Sequence, residues 1–128
     1  MVLTGAFINR SRVVQQVVES NPETVWIVGS GWEGTYSLED TACAGAIALS
    51  ISQALSVSLE EIMGNDETIG AVALYQAYEH DLEKLATLAS HGQRMLRLGL
   101  IEDLKYCMIQ DQLDILPIQN EAGVLVKA

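Results

Sequence analysis

"TVWIVGS", Thr24 to Ser30, is the stretch on which the fold turns. Val25, Trp26, Ile27 and Val28 form a continuous apolar run, bounded by Pro22 on one side and Gly29 on the other. Such a run reads as a strand buried on both faces, as in a parallel sheet. Upstream, "RSRVVQQVVES" places Val13, Val14, Val17 and Val18 on one helical stripe. Asn9 is a good N-cap for that helix, and Asn21-Pro22 ends it. "VLTGAF", Val2 to Phe7, reads as a further buried strand. Strand, helix, strand with short turns is a βαβ unit, with a right-handed crossover expected.

Downstream, Gly29, Gly31 and Gly34 break regular structure. Ser37 followed by Asp40 resembles a capping box, with Asp in place of Glu. The helix that follows is expected from Leu38 to about Leu55. Its early face is small: Ala42, Ala44, Gly45, Ala46 and Ala48. A long helix is expected over Glu67 to Ala89, with Ile69, Val72, Ala73, Tyr75, Tyr78, Leu82, Leu85 and Leu88 inward. Ser90-His91-Gly92 interrupts it, and two short helices follow in "QRMLRLG" and "IEDLKYCMIQ". "DILPIQN" and "GVLVKA" read as a β-hairpin turning at Asn120 to Gly123, with Pro117 placing the first strand at a sheet edge. The class on these grounds is α/β or α+β, with about four strands.

The length of 128 residues fits one domain, residues 1–128, with a core that needs no staples. Hydrophobic residues are 49% and charged residues 19%, which excludes a disordered chain. No apolar run approaches the roughly 20 residues of a membrane span. "MVLTGAFINR" lacks the basic region of a secretory signal. Cys43 and Cys107 lack metal-type spacing and are expected as reduced, buried thiols of a cytoplasmic protein. The formal net charge of −10 argues against nucleic acid and anionic lipid as partners.

The chemistry concentrates in "GSGWEGTYSLEDTACAGA", Gly29 to Ala46. If the sheet forms as expected, this is the loop beyond a strand's carboxyl end, where open α/β sheets hold ligands. Free N–H groups at the start of the helix from Leu38 suit an anion. Glu33, Glu39 and Asp40 offer hard oxygen ligands for Mg²⁺. Acids in a first helical turn are equally explained by the helix dipole. Cys43 lies one turn after Glu39; it is either a thiol with lowered pKa or a small core residue. Arg10 and Arg12 are candidate cations for an anionic substrate, or plain surface charges. His80 reads as solvent-facing and His91 as a cap.

"GAFINRSRVV", "GWEGTYSLEDTACAGAIA", "SHGQRMLRLGLIEDLKYC" and "DILPI", in that order, resemble the C-terminal half of the 2-phosphosulfolactate phosphatase (ComB-like) family. The middle block is the specific one. The resemblance implies a layered α/β/α-type domain with a small parallel or mixed sheet. It implies a Mg²⁺-dependent hydrolase that converts 2-phosphosulfolactate to sulfolactate and phosphate, a step linked to coenzyme M. It carries over Asp40 and Cys43 as catalytic candidates, Asn9, Trp32 and Gly34 as substrate-binding candidates, and Glu33 and Glu39 as metal candidates. Family members are about twice this length. Their N-terminal motifs, of the types Asp-Val-Leu-Arg-Ala-Thr and Asn-Gly-Thr, are missing here. The chain is therefore expected to be a truncated product, half of a split enzyme, an isolated domain or the result of a misplaced start, and inactive or slow alone. The partners expected are a small anionic phosphate ester, and either a second copy or the missing N-terminal half. The alternative function is a non-catalytic oligomerisation or partner-binding domain.

Overall fold

The computed structural model describes residues 1–128. Its elements are a 3-10 helix over Phe7–Asn9, then seven α-helices and a pair of short strands. The helices are α1 (Arg10–Ser20), α2 (Leu38–Leu55), α3 (Leu59–Ile62), α4 (Asp66–Tyr78), α5 (Leu82–Leu88), α6 (Ser90–Arg97) and α7 (Ile101–Cys107). The strands are β1 (Pro117–Gln119) and β2 (Leu125–Lys127). The chain is thus helix-rich with a small antiparallel sheet, and no parallel sheet or α/β/α layering forms within it.

α2 is the hub. It buries Ala42, Gly45, Ala46, Ile47, Ala48 and Ile51, which together occupy more than one side of the helix. A helix that is apolar around its circumference belongs inside. One cluster joins Ala42 and Ala46 to Phe7, Tyr75, Leu82 and Leu85. A second joins Ile47 and Ile51 to Val13, Val14, Val17 and Leu116. The small-residue face brings α4 close: a Cβ on Gly45 would collide with the Ala71 carbonyl oxygen. No side chain other than hydrogen fits that crossing.

α1 buries Val13, Val14 and Val17, as its stripe predicts. It ends at Asn21 in the left-handed conformation (φ 41°), whose N–H reaches the Val17 and Val18 carbonyls. Arg10 Nη2 meets Asp111 Oδ2 at 2.7 Å and Arg12 Nε meets Asp114 Oδ1 at 2.9 Å, tying α1 to the segment before β1.

The expected helix over Glu67 to Ala89 is two helices. Asp81 breaks it by accepting from the Lys84 N–H at 3.0 Å, which caps α5. The turn rotates the apolar stripe: Ala71, Val72, Tyr75, Leu82, Leu85 and Ala86 are buried, whereas Ile69 and Leu88 are exposed. The interruption expected at Ser90-His91-Gly92 falls at Ala89, whose backbone is extended (ψ 145°), and Ser90–Gly92 form the first turn of α6. Gly92 sits tight against α5, where a Cβ would collide with the Ala86 carbonyl oxygen.

The C-terminal hairpin forms, Ile118 opposite Val126. Asn120 Oδ1 accepts from the Ala122 and Val124 N–H groups and shapes its turn. Pro117 does not mark an edge. Leu3 bridges Ile118 on the other side of β1, with Thr4 N–H donating to the Pro117 carbonyl at 3.0 Å. Pro117 is accommodated as the first residue of its strand.

Of the two N-terminal strands expected, Val2–Phe7 contributes the bridge at Leu3, and Thr24–Ser30 forms no strand. Residues 22–30 make no backbone–backbone hydrogen bond. Trp26 is 83% exposed and Val28 84%. The βαβ unit is absent because the second strand has no neighbour in this chain.

Candidate functional site

The loop between Ser30 and α2 is held by one carboxylate. Ser37 Oγ accepts the Asp40 N–H at 3.1 Å, so the N-cap forms as expected. The reciprocal half of the capping box does not. The Asp40 side chain, one methylene shorter than Glu, turns outward to the loop. Its Oδ2 accepts from the Gly31 N–H at 2.8 Å and from Ser30 Oγ at 3.2 Å.

Beyond Gly31 the chain makes a tight hairpin. Trp32 and Thr35 exchange both backbone hydrogen bonds, at 3.1 and 2.9 Å. Glu33 (φ 49°) and Gly34 (φ 75°) are the two central residues, both left-handed, as the primed two-residue turns require. Glu33 therefore stands exposed at the tip. Gly31 is also required: at φ 70°, a Cβ there would meet the Thr35 oxygen at 2.5 Å.

Trp32 packs against α6. Its ring lies 4.3 Å, centroid to centroid, from the His91 imidazole, and Arg94 Cζ lies 5.2 Å from the same ring centroid. The loop is thereby joined to α6. Sequence reading missed this pair, taking His91 for a cap. The signal available was a His and an Arg at i, i+3 in a chain poor in cations.

The remaining candidates scatter. Glu39, half-buried in the first turn of α2, is in no ion pair. No group of three His, Cys, Asp or Glu side chains converges as a metal cage. Mg²⁺ is commonly held by one or two carboxylates with water and substrate oxygens. The Asp40 carboxylate, with Oδ1 unused, and the exposed Glu33 fit that lesser demand and no greater one.

Cys43 packs against both core clusters. Burial pushes its thiol up to about 12, and Asp40 adds to the rise against a smaller opposing effect of Arg10. This is the reverse of the lowering expected beside a helix N-terminus, because the thiol faces the core and not the free N–H groups. Cys43 and Cys107 are both free thiols, but Cys107 is exposed and not buried as expected.

Asn9 is fully engaged. Its Oδ1 accepts from the Ala6 N–H at 2.8 Å, and its Nδ2 donates to the carbonyls of Thr4 and Ile115. It does not cap α1 with its side chain. Asp111 Oδ1 takes that place, accepting from the Ser11 N–H. Burial alone would raise the Asp111 carboxyl, but the Ser11 hydrogen bonds and the Arg10 guanidinium hold it below the ordinary range. Arg10 Nη1 also donates to Tyr75 and Gln110. Arg10 and Arg12 are thus structural ties.

Two surface clefts lie away from the acidic loop. One, about 690 Å³, runs between α1 and α2 past Arg10, Val14, Val18, Ser50 and Ala54. The other, about 320 Å³, lies beside Glu79, Asp81, Lys105 and Gln110. Neither is lined by a residue of the acidic loop. No helix is long and apolar enough to cross a membrane.

Residues 1–122 match the family model described as 2-phosphosulpholactate phosphatase. A relative from Trichormus variabilis, "Probable 2-phosphosulfolactate phosphatase", is 62% identical over 123 residues, 96% of this chain and 50% of the relative. Its namesake from Nostoc punctiforme is 62% identical over 124 residues, 97% of this chain and 50% of its own. That from Thermosynechococcus vestitus is 52% identical over 128 residues, 100% of this chain and 52% of its own. The chain spans about half the length of the curated relatives it matches.

Proposed function

The chain belongs to the 2-phosphosulfolactate phosphatase family, and from that membership we propose that it is the C-terminal half of a Mg²⁺-dependent phosphatase acting on 2-phosphosulfolactate. The observation that carries the reading is the match over residues 1–122, which includes the whole Asp40-clamped loop. Bound Mg²⁺ would neutralise developing charge on the phosphoryl oxygens. Within this chain, Asp40 fixes the loop through Gly31, and the left-handed Glu33–Gly34 turn presents a carboxylate at its tip. Cys43, protonated at neutral pH, serves packing and not attack.

The test is release of phosphate from 2-phosphosulfolactate with and without Mg²⁺, for this chain alone and mixed with the N-terminal half of the Trichormus relative. Activity is expected from the mixture, dependent on Mg²⁺, and at least tenfold lower with Glu33→Gln or Asp40→Asn. Mixtures that are active yet indifferent to both substitutions would remove the site assignment. No release under any condition would remove the phosphatase reading.

A second reading is favoured by one observation. The exposed run Val25–Val28 has no partner in the chain, and on this reading the domain serves association without catalysis. In that case sedimentation gives an oligomer of this chain alone, and Mg²⁺ with substrate leaves the melting temperature unchanged.

A further inference from the structure

Cations are scarce in this protein, and those on α1 and α7 are spent in ion pairs. Of seven Lys and Arg residues, Arg10, Arg12 and Lys105 are paired with Asp111, Asp114 and Glu102. Arg94 is in no ion pair and makes no side-chain hydrogen bond, although it is exposed in a chain of net charge −10. It stacks on Trp32 instead. A guanidinium that lies over an aromatic ring keeps its in-plane N–H donors free, in the fork that suits two oxygens of one anion. His91, one turn earlier on the same face of α6, packs on the same indole. Its Nδ1 is buried with no hydrogen-bond partner, so the ring meets solvent through Nε2.

We propose that Arg94 and His91, seated on Trp32, form an oxyanion-binding face that receives a phosphoryl or sulfonate group. The clamp by Asp40 sets where Trp32 stands, and Trp32 sets where the two donors stand. The face adds positive charge beside an acidic loop that otherwise has none. This inference rests on the phosphatase reading for its biological ligand, but not for its test. The chemistry it names is a tetrahedral oxyanion with two oxygens toward Arg94.

The experiment is a titration of the 128-residue protein with inorganic phosphate and, separately, methanesulfonate, against sodium chloride at matched ionic strength. The Trp32 indole N–H and the Arg94 Nε–H are followed by ¹⁵N NMR. A saturable shift of both signals is expected with at least one oxyanion, and the better ligand identifies the group received. Arg94→Gln should weaken that binding at least tenfold, about 1.4 kcal/mol. Arg94→Lys, which keeps the charge but loses the fork, should recover only part of it. A response that does not saturate, or that is equal in chloride or in Arg94→Gln, overturns the inference. Saturable binding without phosphate release in the mixed-halves assay would sink the phosphatase reading and leave this face standing. Phosphate release with KM unchanged in Arg94→Gln would do the opposite.

Discussion

Residues 24–28 and residues 42–51 are both dense in apolar side chains, and they end at opposite extremes of exposure. In α2, Ala42 and Ala46 are fully buried within one of the two clusters. In the upstream run, Trp26 and Val28 face solvent almost completely. Both segments carry the same demand for a partner. α2 satisfies its own backbone hydrogen bonds and finds α1 and α4 within the chain. A strand cannot satisfy its backbone alone, and none of the protein's other segments lies beside Thr24–Ser30 as a strand. An apolar run states that it must be covered. It does not state by what.

The contrast is broken most sharply at Gly45. Gly45→Leu places a side chain where even a Cβ would collide with the Ala71 oxygen, and a loss of about 3 kcal/mol or more in urea unfolding is expected. A variant with an unchanged midpoint would mean that α2 and α4 do not cross this closely.

Next come paired truncations. Leu116→Ala, at a fully buried site, should cost about 3 kcal/mol. Val28→Ala should stay within about 0.5 kcal/mol. Equal costs would place Val28 in a core that this fold does not have. In the mixture with the N-terminal half, Val28→Ala should become damaging if that half covers the run.

Asp111→Ala removes the hydrogen bond at the start of α1 and should cost about 1 kcal/mol at neutral pH. The sign of the pH effect follows from the lowered Asp111 carboxyl. Its folded value lies below the ordinary 3.8, so its contribution is present above that value. It is lost as pH falls through the folded value. Stability curves of wild type and Asp111→Ala should therefore converge in acid; parallel curves would remove this role.

The smallest effect is kinetic. At about pH 8 a disulfide reagent should label exposed Cys107 promptly and partly buried Cys43, its thiol pushed up to about 12, much more slowly. Prompt labelling of both would contradict the burial of Cys43 against the two clusters.

Local chemistry was legible wherever a segment closes its own hydrogen bonds. The α1 stripe, the start of α2 at Ser37 and the Asn120 turn all form as their residues imply. The break at Asp81 was missed because an acid inside an amphipathic pattern looks like a solvent-facing residue until its side chain caps the next helix. Asn9, Arg10 and Arg12 looked available to a ligand because their partners, Ile115, Asp111 and Asp114, lie about a hundred residues away. In the candidate site, residue type and spacing singled out Glu33 and Asp40 as candidates, and the resemblance added Gly34. The contact of Trp32 with His91 and Arg94 was not, since it joins a loop to a helix more than fifty positions on.

The sequence by itself determined α1, the start of α2 at Ser37, the C-terminal hairpin and the family. Only the tertiary structure decided that α2 is the hub, that Cys43 faces the core, and that Arg94 stands unpaired on Trp32. The physical reason is range. Caps, turns and helical stripes are settled within a few residues of chain, whereas burial, ion pairing and sheet membership depend on which distant segment arrives.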